Sequence, residues 1–126
     1  MSTHTVLFTD DNAMLRELVS AKLAAHRCAV VLANTGDDAL SILESGGIDV
    51  LVTDVSMPGT LDGWALAERA RRINPDIAVV YSSGRPSDTA RQVSHSLYIQ
   101  KPYRLDAIVA AIQHLTTTPS VPEERI

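Results

Sequence analysis

Val50-Leu51-Val52-Thr53-Asp54-Val55-Ser56-Met57-Pro58 joins a β-branched, aliphatic run to an acid and then to a proline-containing turn. Apolar residues from Val50 to Val52 do not alternate with polar ones, which is the pattern of a strand covered on both faces in a parallel sheet. Four further runs read the same way: Thr5 to Thr9, Cys28 to Ala33, Ile77 to Ser82 and Leu97 to Gln100. The stretches between them carry helical spacing. Met14, Leu15, Leu18, Val19 and Leu23 fall on one stripe of Met14 to Ala25. Thr35 to Leu43 opens with Thr35, Asp37 and Asp38, residues that start helices, and stops at Gly46-Gly47. Trp64 to Ile73 follows the same plan, and Leu105, Ile108, Val109, Ile112 and Leu115 make a last amphipathic helix. Strands alternating with helices predict an α/β fold, a doubly wound five-stranded parallel sheet, because right-handed crossovers almost alone can join parallel neighbours.

Composition agrees with one such domain. The chain has 126 residues, 45% of them hydrophobic and 21% charged, which excludes global disorder and a fibrous repeat. Its net charge of −4 and its lack of a Lys/Arg cluster argue against a nucleic-acid partner. No apolar stretch reaches the roughly 18–20 residues of a membrane span, and the polar start lacks the regions of a secretory signal, so no membrane partner and a cytoplasmic location are expected. Cys28, the single cysteine, lies in an apolar run and reads as a small buried hydrophobe. His4, His26, His95 and His114 show no metal spacing. The end of the chain, from about Thr116, has prolines and no apolar period; residues 1–116 are expected to form the domain and 117–126 a flexible tail.

Ligands of such sheets lie beyond the carboxyl ends of the strands, where strand order reverses. The strand ends deliver Asp10 and Asp11, then Asp54, then Ser82 and Ser83, then Lys101 and Pro102. Asp10, Asp11 and Asn12 taken alone read equally well as a helix cap. Asp54 and Lys101 added to them describe a crevice in which carboxylates repel, a repulsion relieved by a hard divalent cation with oxygen ligands.

These residues carry a resemblance. Thr9-Asp10-Asp11-Asn12, Val52-Thr53-Asp54-Val55-Ser56-Met57-Pro58, Asp62-Gly63, Ser83-Gly84 and Lys101-Pro102-Tyr103 resemble the receiver domain of two-component response regulators, the CheY-like family, from about Val6 to Leu115. The resemblance implies the flavodoxin-like strand order 2-1-3-4-5 with five flanking helices. It implies that Asp54 accepts a phosphoryl group from a histidine kinase or phosphotransfer protein. It also implies that Asp11, Asp54 and the backbone carbonyl of Ser56 bind Mg²⁺, with Asp10 acting through water. Lys101 would supply the cation that lets a carboxylate meet a phosphoryl dianion. Ser83 would donate its hydroxyl to the phosphoryl group, and Tyr98 would be the aromatic that changes rotamer when Ser83 moves, turning from solvent into the core. The family's Lys-Pro bond is cis, so the bond before Pro102 is expected to be cis as well.

Departures from the pattern carry their own expectations. Met57 to Gly63 is one residue longer than the commonest form, so the loop after Asp54 should bulge. The stretch from Ser83 to Lys101 is short, so a fourth helix, within Asp88 to Ser94, should be brief. Arg85 and Ser56 occupy places that tune access of water to an aspartyl phosphate. Trp64 reads as a half-buried packing residue. The chain is expected to be a stand-alone phosphorylation switch that acts on a downstream protein, without turnover of a separate substrate. Two alternatives compete with it: a haloacid-dehalogenase-like phosphatase, which wants an acid where Ser56 stands, and a degenerate docking module, which would be expected to lose an acid or the lysine.

Overall fold

The computed structural model describes residues 4–85 and 90–117. Its elements run β1 (Thr5–Thr9), α1 (Ala13–Ala25), β2 (Ala29–Ala33), α2 (Gly36–Glu44), β3 (Val50–Asp54), α3 (Gly63–Ile73), β4 (Ala78–Ser83), β5 (Ser96–Gln100) and α4 (Leu105–Thr117). All five strands are parallel, in the order β2-β1-β3-β4-β5. This is the doubly wound, flavodoxin-like order, with its reversal point between β1 and β3.

Alternation along each strand sorts the core into two layers. Val6, Phe8, Val50, Val52, Ala78 and Val80 pack with Val19 and Leu23 of α1 and with Ile108 and Ile112 of α4. Leu7, Leu51, Val79 and Tyr81 point the other way, onto Ala39 and Leu43 of α2 and Trp64, Leu66 and Ala67 of α3. The three central strands are buried along nearly their whole length, whereas edge strand β5 is half-buried. Cys28 lies just ahead of β2, half-buried against the first layer.

Three helices start on side-chain caps that accept a free backbone amide: Asn12 from Leu15, Thr35 from Asp38 and Asp62 from Ala65. Two glycines allow close approach. A Cβ on Gly36 would lie 2.5 Å from the Leu61 carbonyl oxygen, and one on Gly63 only 2.3 Å from that of Asp54. Gly63 therefore lets α3 begin directly against the end of β3, and its amide donates to the Val55 carbonyl at 2.8 Å.

Two expectations are corrected. A fourth helix within Asp88 to Ser94 is not found among the described residues; Asp88 and Thr89 lie outside them, and Ala90 to Ser94 are turn and irregular chain. Side chains from elsewhere hold that backbone. Arg71 donates to the Ser94 carbonyl (2.6 Å) and the His95 carbonyl (3.0 Å), and Tyr81 Oη accepts the Val93 amide (3.1 Å). His95 then enters β5 through a positive φ of 52°. Four helices are thus described where five were expected. At the other end, Thr116 and Thr117 extend the last helix, their hydroxyls donating to the Ile112 (2.8 Å) and Gln113 (2.6 Å) carbonyls; the remainder of the expected tail, 118–126, lies outside the described residues. The loop after Asp54 reaches α2, where Thr60 Oγ1 donates to Asp37 Oδ1 at 2.9 Å.

Gly63→Ala should destabilise the fold by about 1–3 kcal/mol, the usual cost of forcing an extra methyl into a packed site. Chemical denaturation measures it, and a variant as stable as the parent would show that α3 can back away from β3 freely.

Candidate functional site

The three central acids meet at the carboxyl edge of the sheet. Asp10 and Asp54 continue the alternation that points Phe8 and Val52 toward α1 and α4, and both are buried, at 0% and 8% exposure. Asp11 is exposed at the entrance. One carboxylate oxygen from each of Asp10, Asp11 and Asp54 lies within 4.8 Å of the others. Lys101 reaches them from beyond β5: its Nζ is 2.8 Å from Asp10 Oδ2 and 3.3 Å from Asp54 Oδ2. The Lys101 amide donates to the Ser83 carbonyl at 2.7 Å, and the Lys101–Pro102 bond is cis.

Backbone and a neighbouring helix hold the acids in place. The Asn12 amide donates to Asp10 Oδ1 (3.0 Å), and Arg16 of α1 grips the Asp10 carbonyl (2.8 Å). The Ser56 amide donates to Asp54 Oδ1 at 3.3 Å, so Ser56 lies in the turn that follows the acid. Burial pushes the Asp54 carboxyl above its ordinary 3.8; Lys101 opposes that shift and Asp10 adds to it. Burial lowers the Lys101 ammonium, but the hydrogen bond and charge of Asp10, followed by Asp54, outweigh it and hold the group above 10.5. A pocket of oxygen acceptors with one exposed member matches a hard divalent cation such as Mg²⁺.

Ser83 and Tyr98 lie on the opposite face of the sheet. Ser83 Oγ accepts the Arg85 amide at 3.1 Å, and the Arg85 carbonyl accepts the Tyr98 hydroxyl. The Tyr98 ring stacks on Trp64, with centroids 6.1 Å apart and planes at 18°, so Tyr98 packs half-buried with its hydroxyl on a backbone carbonyl. Trp64 is 8% exposed and also meets Tyr81 at 4.6 Å, which makes it the packing residue expected. Arg85 contributes to this link through its backbone.

Sequence reasoning placed Ser82 at the sheet edge and Tyr103 in a motif but gave neither a role in the site. Both hydroxyls are sealed from solvent and face each other, and Thr9 Oγ1 is sealed likewise. Burial, reinforced by the charge of Asp10, pushes the Tyr103 phenol up to about 12. The signal was present in strand parity: Ser82 alternates with Val80 and Ala78 and so shares a face with Asp54.

A flavodoxin-like sheet whose carboxyl edge gathers three acids and a lysine is the architecture of receiver domains, and residues 6–113 match the response regulator receiver domain family. The chain belongs to that family. It is 31% identical over 114 residues to the response regulator MprA of Mycobacterium leprae, covering 87% of this chain and 50% of that protein. MprA of Mycolicibacterium vanbaalenii is 30% identical over 120 residues, covering 90% of this chain and 52% of that protein. The chain thus spans about half the length of these relatives. Among solved structures, a response regulator receiver protein from Sinorhizobium medicae superposes with a TM-score of 0.88 at 30% identity, over 93% of this chain and 97% of that one. The receiver domain of the hybrid histidine kinase CckA superposes with a TM-score of 0.75 at 28% identity, over 88% and 97%. No helix among the described residues is long and apolar enough to cross a membrane.

The raised Asp54 pKa gives a pH-dependent prediction. Because the folded chain holds that proton more tightly than the unfolded one, stability falls as pH rises from the ordinary 3.8 through the raised value. Asp54→Asn should therefore melt a few degrees above the parent at pH 7, and the difference should shrink toward zero below about pH 4. Calorimetry across pH tests it, and an Asp54→Asn chain that melts lower at pH 7 would mean that Lys101 stabilises the charge more than burial penalises it.

Proposed function

We propose that this receiver accepts a phosphoryl group on Asp54 from a histidine kinase or phosphotransfer protein in the cytoplasm and thereby switches a protein-binding surface. The observation that carries the reading is the Asp54 carboxylate at the end of β3, with Lys101 Nζ 3.3 Å from Oδ2 and two further acids alongside. Asp11, Asp54 and the Ser56 carbonyl would hold Mg²⁺ directly and Asp10 would hold it through water. When bound, the ion supplies charge neutralisation for an incoming phosphoryl dianion.

The chain's own groups do the rest. Asp54 is the nucleophile, held by the Ser56 amide so that its carboxylate faces out of the sheet edge. Lys101 holds two acids at rest and turns to a phosphoryl oxygen afterwards, which compensates the added charge of about −1.5 to −2. No separate substrate is turned over; transfer and later hydrolysis both occur on the chain's own aspartate. Exposed Met14 and Leu18 on α1, at 71% and 49%, leave apolar surface near Asp11 of the kind a protein donor covers.

Ser83 carries the change outward. Its hydroxyl now serves the Arg85 amide, and Arg85 holds Tyr98 through its carbonyl. A phosphoryl oxygen that claims Ser83 releases that amide, and the Arg85 peptide and the Tyr98 ring shift against Trp64. A ligand biases two states only through contacts it makes in one of them, and here those are the Ser83 and Lys101 bonds.

Incubation with acetyl phosphate and Mg²⁺ should add one phosphoryl mass to the parent, and EDTA or Asp54→Asn should abolish it. An Asp54→Asn chain that still gains the mass would overturn the assignment. Trp64, the single tryptophan, reports the second step: beryllofluoride should change its emission in the parent and much less in Ser83→Ala, while Ser83→Ala still gains the phosphoryl mass. Equal emission changes in both proteins would mean the signal leaves the site without Ser83.

A further inference from the structure

Asp11 is the exposed member of the acid cluster, and among the described residues its carboxylate has no hydrogen-bond or ion-pair partner. Its place is therefore set by its backbone. Two planar peptide units flank Asp11, and each is held by a side chain. The carbonyl of the preceding unit belongs to Asp10 and accepts from Arg16 Nη1 at 2.8 Å. The amide of the following unit belongs to Asn12 and donates to Asp10 Oδ1 at 3.0 Å.

Asp10 is a firm base for both bonds. It is 0% exposed, its amide donates to the Ala33 carbonyl at 3.2 Å, and its Oδ2 takes Lys101 at 2.8 Å. Arg16 brings the helix into this arrangement: its own amide bonds the Asn12 carbonyl at 3.0 Å, so it stands in the opening turn of α1 and reaches back to the peptide that joins the two acids. A guanidinium on a carbonyl is a charge-assisted bond, stronger than a neutral one. The rest of the side chain borders an open cleft toward β2 and α2, with Leu32 and Ile42, so its replacement takes nothing from the core.

We propose that Arg16 is a positioning residue of the cation site: by gripping the Asp10 carbonyl it sets the peptide on which Asp11 rides, and so keeps the Asp11 carboxylate within the 4.8 Å that unite the three acids. The inference rests on the reading of Asp11 and Asp54 as ligands of Mg²⁺ and adds the residue that holds the exposed ligand in reach. Mg²⁺ demands near-octahedral geometry, so a ligand free to swing costs affinity. Charge alone has the opposite sign, because a cation beside three acids competes with a divalent ion and its removal tightens binding. The direction of the change separates the two effects.

Isothermal titration of Mg²⁺ into the metal-free parent, Arg16→Met and Arg16→Lys tests it, beside melting temperature and the rate of phosphorylation by acetyl phosphate across Mg²⁺ concentrations. Arg16→Met should bind Mg²⁺ about tenfold more weakly, the low end of what losing a partner behind a metal ligand costs. Its phosphorylation should need correspondingly more Mg²⁺ to reach half its maximal rate and should match the parent's rate at saturation. Arg16→Lys keeps a cationic donor for the same carbonyl and should recover most of the loss. Both variants should melt within a few degrees of the parent without metal. Equal or tighter Mg²⁺ binding by Arg16→Met overturns the proposal, and so does an Arg16→Lys chain as weak as Arg16→Met, since a donor to the carbonyl is then not what matters. A metal-free melt lower by more than about ten degrees overturns it too, because Arg16 then holds the fold rather than the ligand. A parent that binds no Mg²⁺ overturns the cation-site reading and this proposal with it, whereas a parent that binds Mg²⁺ and never gains the phosphoryl mass overturns the phosphoacceptor reading alone.

Discussion

The ammonium of Lys101 between the carboxylates of Asp10 and Asp54 is the interaction on which the functional edge of this sheet depends. It joins residues 91 and 47 positions apart in the chain, tying the end of β5 across β4 to the ends of β3 and β1. Without it, two acids at 0% and 8% exposure would face each other in a medium that screens charge poorly. Attraction does not fully satisfy the pair, since burial still leaves the Asp54 carboxyl raised. The edge is therefore poised: apolar strands below fix the positions of the acids, and the incomplete neutralisation above leaves room for a cation and an anion to improve it.

The doubly wound sheet divides the labour between its faces. Asp10, Asp54 and Ser82 continue the alternation of Phe8, Val52 and Val80 toward α1 and α4, and Tyr103 packs there too, so the proposed capture of a phosphoryl group would belong to that side. Tyr98 and Trp64 belong to the α2/α3 layer, and Ser83 alternates with Tyr81 onto the same side, the side on which the proposed switch would act. Ser82 and Ser83, adjacent in β4, point to opposite sides because successive strand residues must. One strand end thus touches both faces, and the Lys101 amide is bonded to the Ser83 carbonyl at that junction.

What was legible in the sequence follows from the range of the forces involved. Near-continuous apolar runs such as Val50 to Val52 located the strands to within one or two residues, because burial on two faces leaves no other composition. Acids at the ends of two such runs, together with Lys101, were visible because a strand end is also a sheet edge. The non-helical course of Ala90 to His95 was not legible. Val93, Ser94 and His95 are held by Tyr81 and Arg71, whose bonds to them span 12 to 24 positions, and no local pattern announces such long-range capture. The last helix outran its expected end for a local reason: Thr116 and Thr117 satisfy their hydroxyls on carbonyls of the preceding turn and so continue a helix they rarely favour. Tyr103 was quoted as part of a motif, but the burial of its hydroxyl beside Ser82 is a property of packing, which spacing does not display.

The absence of helix from Ala90 to His95 bears on how a change at Ser83 is transmitted. A helix in that place would move as a rigid body and spread a small displacement over its length. Here Arg85 bonds Ser83 through its amide and Tyr98 through its carbonyl, so the backbone of one residue couples the two side chains. The chain beyond is fixed at Ser94 and His95 by Arg71, whose guanidinium is also anchored on the Ile77 carbonyl at the root of β4. In the proposed switch a displacement at Arg85 would be directed onto Tyr98, and Tyr98 stacks on Trp64 at the start of α3, two residues after its cap, Asp62. Because Gly63 seats α3 directly on the Asp54 carbonyl, the helix that would receive the proposed change is the one already pressed against the residue that would begin it.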